Sequence, residues 1–248
     1  MKEAEYQNIY DSEERQWWYR GMRAISLALL EPALRALGEG GRALRVLDAG
    51  CGTGRNVLEL GGFGRAAGID LSPLALRFCR LRGVAVARAG LLSLPFPDGS
   101  FDCVTSFDVI YHAWVTDDRA AVREMARVLR PGGLLLVRVP ALRLLWGGHD
   151  VEVQSRHRYT KGELLALLRD TGLETLRATY CNSFLFPLLL LRRGLDRLTG
   201  RTGSDVGFLP APLEWLFLRL LRLESALVRR GVSFPIGASV LALARKPI

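Results

Sequence analysis

Residues 46–56, with the sequence VLDAGCGTGRN, constrain the fold more than any other part of the chain. An apolar run leads into three glycines, Gly50, Gly52 and Gly54. Glycines directly after a strand let the backbone turn tightly and approach a ligand closely. A helix that starts there presents free N–H groups and the positive end of its dipole, which suit a carboxylate. The segment therefore predicts a strand, a ligand-binding loop and a helix.

Short apolar runs and amphipathic stretches alternate along the rest of the chain, which predicts a doubly wound, mostly parallel α/β sheet. Two helix starts carry capping signals, because Ser72 precedes Pro73 and Thr160 precedes Glu163 by three residues. The predicted seven strands are 45–49, 66–70, 84–89, 101–107, 134–139, 173–180 and 238–244. The predicted helices between them are 55–60, 72–81, 117–129 and 160–170.

Two regions fall outside this alternation. Residues 1–40 are predicted to be helical and to end near Gly38, Gly40 and Gly41, and they contain the aromatic cluster Trp17, Trp18 and Tyr19. Residues 182–235 are too long for a hairpin loop and predict a helical insertion before the last strand, a candidate substrate cover. The predicted core is then 41–181 and 236–248.

The second half of the insertion has an apolar helical face. Its members are Leu213, Leu216, Phe217, Leu220, Leu223 and Leu227. We expect this face mainly to pack on the domain, and the alternative is that it covers an apolar substrate or rests on an anionic membrane.

The net charge and the cysteines limit the classes of binding partner and the cellular compartment that we expect. The net charge of +9 comes almost entirely from arginine, which indicates an acidic partner, an anionic membrane or simply an arginine-rich genome. A nucleic-acid surface is not favoured, because basic runs with interleaved aromatic residues are missing. Four scattered cysteines predict reduced thiols, and neither a secretion signal nor an apolar run long enough for a membrane span is evident. We expect a cytoplasmic protein.

A second acidic position follows the second predicted strand. Asp70 lies about 20 residues after the glycine loop, at the point where a carboxylate can accept hydrogen bonds from two ribose hydroxyls. This spacing suits several nucleotide-like cofactors, NAD among them.

Four segments in this order resemble the class I S-adenosylmethionine-dependent methyltransferases, and most of all their type 11 branch. The segments are 46–54, 68–72, 94–102 (LPFPDGSFD) and 127–133 (RVLRPGG), and the resemblance covers about residues 42–140. Dehydrogenases do not share the last two segments, which decides against NAD. The resemblance implies a Rossmann-like methyltransferase fold and S-adenosyl-L-methionine as cofactor.

The resemblance implies that residues 1–40, with the cluster Trp18, Tyr19 and Arg20, form a lid over the cofactor, and the alternative is aromatic packing of a terminal helix.

The resemblance also implies a cofactor site. Asp48 and the glycine loop would hold the methionine end, Asp70 the ribose, and Leu71 and Ser72 the adenine. Where the family commonly has an adenine-binding aspartate, this chain has Gly90. The complete expected set is Tyr19, Arg23, Asp48, Ala49, Gly50, Cys51, Gly52, Gly54, Asn56, Asp70, Leu71, Ser72, Gly90, Leu91, Leu92, Phe107 and Asp108.

All three histidines lie in loops expected at the carboxyl edge of the sheet, where ligands bind in such folds. The candidate catalytic residues are His112, His157 and Tyr111, because an imidazole can take a proton from a hydroxyl or amine near neutral pH. The alternative for His112 is a packed histidine that supports the cofactor loop.

The loop around the other two histidines is arginine-rich. The candidate substrate residues are His149, Arg156 and Tyr159, which could anchor an anionic group. A zinc site from His149, Asp150 and His157 is the weaker interpretation, and no metal is predicted.

The predicted function is methyl transfer from S-adenosylmethionine to an oxygen or nitrogen of a small-molecule acceptor, lipid-linked or anionic. The alternatives are a non-catalytic cofactor-binding protein, a peripheral membrane protein on the same fold, and an S-adenosylmethionine enzyme with another reaction, such as a cyclisation.

Overall fold

The computed structural model describes residues 3–39, 41–199 and 209–248. Gly40 and residues 200–208 of the insertion lie outside the described residues, as do residues 1 and 2. The helices are α1 Glu3–Ser12, α2 Trp17–Leu37, α3 Arg55–Leu60, α4 Pro73–Leu81, α5 Asp118–Val128, α6 Gly148–Glu152, α7 Lys161–Asp170, α8 Phe186–Thr199 and α9 Ala211–Arg229. The strands are β1 Leu44–Ala49, β2 Gly64–Asp70, β3 Ala85–Arg88, β4 Phe101–Phe107, β5 Leu129–Pro140, β6 Glu174–Cys181 and β7 Ser239–Arg245.

The seven strands form one sheet in the order β3-β2-β1-β4-β5-β7-β6. Strands β1 to β5 pair in parallel, and β7 runs antiparallel to both β5 and β6. The predicted mostly parallel α/β sheet is confirmed. The strand order reverses between β1 and β4, and in open α/β sheets the ligand crevice lies beyond the carboxyl ends of the strands at such a reversal.

Alternate side chains of the strands face two helical layers, as the two-residue period of a strand requires. Val104 and Leu135 belong to the cluster packed with α5 and α7, whereas Cys103 and Leu134 belong to the cluster packed with α2 and α9. The central strands are therefore buried on both faces, which explains their nearly continuous apolar sequences.

The predicted capping signals are confirmed. Ser72 Oγ accepts a hydrogen bond from the Ala75 N–H at 3.5 Å, and Thr160 forms a capping box with Glu163. The predicted helix over residues 117–129 ends at Val128, because Leu129 already begins β5. The predicted N-terminal helical region consists of two helices, α1 and α2, separated by residues 13–16.

The insertion contributes a helix to one of the two layers. Helix α9 lies against α2 so closely that a Cβ atom at Gly21 would come 2.2 Å from Leu221 Cδ1. Ser225 Oγ donates to the Ala24 carbonyl at 2.9 Å. The buried residues of α9 are Leu218, Leu221, Glu224, Ser225 and Val228.

The predicted packing face of α9 is correct only in part, because Phe217 and Leu220 pack on the core whereas Leu213, Leu216 and Leu223 are exposed. The helix has apolar residues on almost every side, so helical periodicity could not select the face that packs. Among the described residues, no helix combines the length and the apolar character that crossing a membrane requires.

Candidate functional site

The glycine loop between β1 and α3 is held in a tight turn against β2. The N–H groups of Gly50 and Cys51 both donate to the Ile69 carbonyl, at 2.9 and 2.8 Å. Gly50 has φ of +87°, and a Cβ atom there would lie 2.5 Å from a methyl carbon of Val109. Gly52 has φ of +53° and faces open space. A side chain is therefore excluded at Gly50, and the backbone at Gly52 is open to a ligand.

Asp70 lies at the carboxyl end of β2 with its carboxylate fixed by the backbone. Its Oδ2 accepts from the Gly52 N–H at 3.0 Å, and its Oδ1 accepts from the Ser72 N–H at 2.9 Å. Burial raises the pKa of this carboxyl, and the backbone donors at Ser72 and Gly52 oppose the shift. Each carboxylate oxygen has a second lone pair, so the group can still accept from two hydroxyls.

A cavity of about 880 Å³ opens beyond the carboxyl ends of the central strands. This volume is near the upper end of the roughly 300–1,000 Å³ typical of ligand pockets, enough for a nucleoside-sized molecule and a second ligand. Fourteen of the seventeen predicted cofactor residues line it. They are Tyr19, Arg23, Gly50, Cys51, Gly52, Asn56, Asp70, Leu71, Ser72, Gly90, Leu91, Leu92, Phe107 and Asp108.

Three predicted cofactor residues, Asp48, Ala49 and Gly54, lie outside the cavity lining. Asp48 is buried at the end of β1, where its Oδ1 accepts from Thr105 Oγ1 at 2.7 Å. Its Oδ2 is buried without a hydrogen-bond partner among the described residues. Burial raises the pKa of Asp48 to about 7, and the Thr105 hydroxyl and Arg138 oppose that shift. The structure thus places Asp48 as a support beneath the loop.

Residues of α1, of α2 and of the segment between them line part of the cavity. They are Tyr6, Ile9, Glu13, Gln16, Trp17, Trp18, Tyr19 and Arg23. Glu13 is buried and accepts from Thr53 Oγ1 at 2.5 Å and from Arg82 at 2.6 Å. Burial raises the pKa of Glu13, and its bonds with Thr53 and Arg82 oppose the shift. Sequence reasoning missed Tyr6 and Glu13, because a partner distant in sequence gives no local signal.

Arg138 and Asp108 form a buried ion pair in the middle of the cavity wall. Arg138 donates to Asp108 Oδ2 from Nε at 3.0 Å and from Nη2 at 2.7 Å. Its Nη1 donates to Ser26 Oγ at 2.9 Å, which joins β5 to α2. Arg138 was not among the predicted site residues, although an arginine inside the apolar run LLLVRVP is itself an unusual signal.

His112 and Tyr111 line the same cavity beyond the cofactor end. His112 Nδ1 lies 2.8 Å from the Val153 carbonyl, which can only accept, so Nδ1 carries the proton of the neutral ring. Burial lowers the pKa of His112 to about 4, and the Val153 carbonyl opposes the shift. The ring stacks on Trp114 with centroids 4.0 Å apart. His112 therefore has both positions that the sequence allowed: it packs against Trp114 and it lines the cavity.

Three further polar residues belong to the lining of the cavity. His149, Ser155 and Asn182 all line it. In each of them one side-chain atom is buried without a hydrogen-bond partner within the described ranges, namely His149 Nδ1, Ser155 Oγ and Asn182 Oδ1. Sequence reasoning identified only His149 of these three.

The other predicted catalytic and substrate residues are not brought to the cavity. His157 pairs with Glu163 at 3.4 Å, and Arg156 lies 3.5 Å from Asp118. Tyr159 is buried in the core and its hydroxyl donates to the same Asp118 at 2.6 Å. The zinc interpretation finds no support, because Asp150 pairs with Arg158 at 2.7 Å and no potential metal-binding cluster occurs in the part of the chain that the structure describes.

The fold and the site together define an α/β protein with a nucleoside-type cofactor site at the topological switch point of its sheet. Comparison with known proteins specifies the class. A family model described as a methyltransferase domain matches residues 47–137. A Mycobacterium tuberculosis protein named as an S-adenosylmethionine-dependent methyltransferase is 32% identical over 208 residues, which cover 82% of this chain and 70% of that relative. The chain therefore belongs to the S-adenosylmethionine-dependent methyltransferases.

Solved structures show the same fold at lower identity. A chain of the complex between the Haloferax volcanii Trm112 methyltransferase activator and a methyltransferase has a TM-score of 0.59 at 19% identity, with 98% of both chains covered. The [4+2]-cyclase SpnF has a TM-score of 0.55 at 22% identity, with 88% of this chain and 81% of that chain covered. A methyltransferase fold can thus host another reaction, and the acceptor has to be inferred from the site.

The residues present fit S-adenosylmethionine. Asp70 offers its remaining lone pairs to a ribose, Gly52 leaves room for close approach, and the lining at Leu71 and Leu91 is apolar as an adenine requires. No side-chain carboxylate stands at Gly90, so the adenine amino group would have to be met by backbone there.

Proposed function

We propose that this methyltransferase acts on an oxygen or nitrogen of a small-molecule acceptor, anionic or lipid-linked, held between α6, α8 and His112. The observation that carries the proposal is that three residues of the cavity lining, His149, Ser155 and Asn182, each have a buried polar atom without a hydrogen-bond partner among the described residues. A buried polar atom without a partner costs about 1–3 kcal/mol, so a ligand that supplies the missing hydrogen bonds binds favourably.

Arginines set the charge preference of the acceptor end. Arg158, Arg192 and Arg193 line it, and Asp150 pairs with Arg158 at 2.7 Å. Asp196 lies 3.4 Å from Arg193. The acceptor end therefore favours a ligand with a negative group.

When bound, S-adenosylmethionine supplies a methyl group on a positively charged sulfur, which an oxygen or nitrogen nucleophile displaces. The protein contributes mainly by holding the two reactants close and aligned. His112 Nε2 is the acceptor nitrogen of a neutral ring and can orient a hydroxyl or amine of the acceptor. Because burial lowers the pKa of His112 to about 4, the ring is a weak base, and its proposed role is to orient the acceptor while the released proton leaves to water.

The N-terminal region is proposed to act as the lid and residues 182–235 as the cover of the acceptor end. The lid is supported by the Glu13 contact with Thr53 in the glycine loop. The cover is supported by Leu189, Arg192 and Arg193 of α8 in the cavity lining.

The test uses S-adenosylmethionine with a deuterated methyl group and an extract of cells that produce the protein. The extract is separated into small-molecule, lipid, protein and nucleic-acid fractions, and each is searched by mass spectrometry for the label. We expect label in the small-molecule or lipid fraction. Label confined to protein or nucleic acid contradicts the proposed acceptor class.

A substitution at Asn182 tests the role of one of these polar residues. Asn182 has φ of +56°, so Asn182→Gly removes the amide while it keeps the backbone conformation accessible. We expect kcat/KM for the identified acceptor to fall about 10- to 100-fold, from the loss of one buried hydrogen bond. Affinity for S-adenosylhomocysteine should stay unchanged, and an unchanged kcat/KM would contradict the role of Asn182.

A further inference from the structure

Glu224 of α9 is a carboxylate enclosed in the protein. It is 0% exposed, and the cavity lining does not include it. Acidic side chains are almost never fully buried unless other groups neutralise their charge. Burial raises the pKa of Glu224, and the backbone N–H groups of Ser183, Phe184 and Asn182 oppose the shift. A buried glutamate that acts on three consecutive backbone groups points to a task in that segment.

The partners of Glu224 lie in the turn between β6 and α8. Its Oε2 accepts from the Ser183 N–H at 2.8 Å and from the Phe184 N–H at 3.3 Å. Successive backbone N–H groups that converge in a turn form a concavity that binds an anion. The second oxygen, Oε1, is buried without a hydrogen-bond partner in the part of the chain that the structure describes. Glu224 therefore holds the turn through one carboxylate oxygen.

The turn begins at Asn182 with a left-handed backbone. Asn182 has φ of +56°, a conformation in which asparagine is one of the few tolerated residues. The segment is tightly packed, because a Cβ atom at Gly237 would lie 2.5 Å from the Cys181 carbonyl oxygen and 2.9 Å from Ser183 Oγ. The Asn182 side chain is buried and belongs to the cavity lining. The backbone of this turn therefore determines where the Asn182 amide lies in the acceptor end.

Helix α9 is a firm base for Glu224 because it is packed along α2. Leu221 lies so close to Gly21 that a Cβ atom there would clash with it. Ser225 Oγ donates to the Ala24 carbonyl at 2.9 Å. Leu221 and Ser225 stand on either side of Glu224 in the sequence, so both contacts fix the helix where the glutamate projects. The turn after β6 is therefore anchored to a helix that the rest of the domain holds in place.

We propose that Glu224 is a positioning residue for the methyl acceptor. Its carboxylate holds residues 182–184 in the conformation in which the Asn182 amide lines the cavity, and the acceptor supplies the hydrogen bond that this amide lacks. Glu224 contacts neither acceptor nor cofactor and acts through Asn182. The part of Asn182 in acceptor binding rests on the proposed function, whereas the placement of its amide by Glu224 does not.

A purely structural Glu224 is the alternative, because the same turn leads into α8. Helix α8 begins at Phe186, and a carboxylate near the first N–H groups of a helix stabilises that helix. Such a role would change the stability of the protein and leave the Asn182 amide where it is. The two roles differ in whether the turn itself moves and in whether Glu224 acts through Asn182.

The first measurement is an NMR experiment on the full chain with S-adenosylhomocysteine. Asn182 and Ser183 form the only Asn–Ser pair of the sequence, so ¹³C-carbonyl asparagine with ¹⁵N-serine selects the Ser183 N–H. We expect its proton to resonate downfield, because a hydrogen bond to an ionised acceptor is short and strong. Glu224→Leu should shift the proton upfield. Glu224→Gln keeps one carbonyl oxygen for the same bond and should shift it less.

Labelling of asparagine with ¹⁵N follows the Asn182 side chain. The Asn182→Gly variant identifies its amide signals, and these signals should shift in Glu224→Leu. The matched control is Glu214→Gln, because Glu214 makes the same kind of bond from the same helix, to the Trp17 N–H at 2.9 Å. This control should leave the Ser183 and Asn182 signals unchanged.

The second measurement is kcat/KM for the acceptor that the deuterated methyl group identifies. Glu224→Leu should lower it about 10- to 100-fold, as Asn182→Gly does, with unchanged affinity for S-adenosylhomocysteine. The double variant Asn182→Gly/Glu224→Leu should be less than about threefold below Asn182→Gly, because residues that act through one contact are not additive. Glu224→Gln should stay within about fivefold of the wild type, since it keeps an acceptor for the backbone N–H groups.

Two results would overturn the proposal. One is a Ser183 proton with the same chemical shift in the wild type, Glu224→Gln and Glu224→Leu. The other is a double variant whose loss is the product of the two single losses, since Glu224 would then act independently of Asn182. Calorimetry with S-adenosylhomocysteine verifies that each variant is folded, and Glu224→Gln replaces Glu224→Leu in both measurements if the latter does not fold.

The proposed function can fail separately. An unchanged kcat/KM in Asn182→Gly, together with Ser183 and Asn182 signals that shift in Glu224→Leu, would support the placement of the amide by Glu224. It would contradict the part of Asn182 in acceptor binding.

Discussion

Arg138 Nη2 lies 2.7 Å from Asp108 Oδ2, and this ion pair joins β4, β5 and α2 at the centre of the cavity wall. The Arg138 side chain is 8% exposed, whereas that of Asp108 is 20% exposed. The Asp108 carboxylate raises the pKa of Arg138 against the effect of its burial. The arginine therefore stays charged and depends on Asp108 for its neutralisation.

Removing one partner should destabilise the fold, because a buried charge is then left uncompensated. We expect Arg138→Met to lower the free energy of unfolding by about 3 kcal/mol. Arg119→Met, which breaks the exposed pair with Asp170, should cost less than about 1 kcal/mol. Urea denaturation at neutral pH measures both losses of unfolding free energy. Equal losses in the two variants would contradict a larger contribution of the buried Arg138 pair to stability.

Glu13 is expected to hold the N-terminal region over the cofactor through Thr53 and Arg82. Glu13→Gln removes the ion pair and weakens the hydrogen bond, a loss of about 1–2 kcal/mol. Stopped-flow measurements should show S-adenosylhomocysteine leaving roughly 5- to 30-fold faster, since each 1.4 kcal/mol is tenfold. Asp11→Asn, at an exposed carboxylate that accepts from Gln7 within α1, is the control. An unchanged dissociation rate in Glu13→Gln would contradict the lid.

Asp48 makes stability depend on pH in a predictable direction. Its pKa is raised to about 7 in the folded chain, so the folded state retains a proton that the unfolded chain releases above about pH 4. The stabilisation is present below that pH and is lost as the pH rises to about 7, on the order of 4 kcal/mol for such a shift.

The Asp48→Asn variant should not show this loss. Urea denaturation between pH 4 and pH 8 measures this. As the pH rises, the free energy of unfolding of Asp48→Asn should increase relative to that of the wild type. Asp98→Asn, at an exposed carboxylate, should follow the wild type. Parallel pH profiles for Asp48→Asn and the wild type would mean that Asp48 titrates normally.

His112 should be neutral and protonated on Nδ1 throughout the physiological pH range. Burial lowers the pKa of His112 to about 4, and the Val153 carbonyl accepts from Nδ1. Long-range ¹H–¹⁵N spectra of the imidazoles report both properties, and His112→Asn identifies the signals that belong to this ring. A His112 signal that titrates near pH 6.5, or that shows the Nε2-protonated tautomer, would contradict this account.

The cofactor half of the site could be predicted because its signals are local. The turn at Gly50 and Gly52 requires glycine, and Asp70 follows its strand directly, so residue type and spacing carry the information. Asp48 was assigned to the same ligand, yet it lies beneath the loop. Spacing places a residue at a strand end but does not tell which face its side chain takes.

The acceptor half could be predicted only in part because its residues are far apart in sequence. Asn182, after β6, and Ser155, after α6, both line the cavity, and neither belongs to a local motif. Tyr159 and Arg156 looked like ligand residues from their type alone, but Asp118 engages both. Part of the predicted face of α9 is exposed because leucines of this helix also lie outside the side that packs on α2, and periodicity alone did not separate the two.

Calorimetric titration with S-adenosylmethionine and S-adenosylhomocysteine tests the cofactor site at Asp70 most directly. The wild type should bind both, and Asp70→Ala should weaken each by about 10- to 100-fold through loss of a charged acceptor for the ribose. Asp98→Ala should bind like the wild type. Failure of the wild type to bind either compound, or an unchanged affinity in a folded Asp70→Ala variant, would contradict the account.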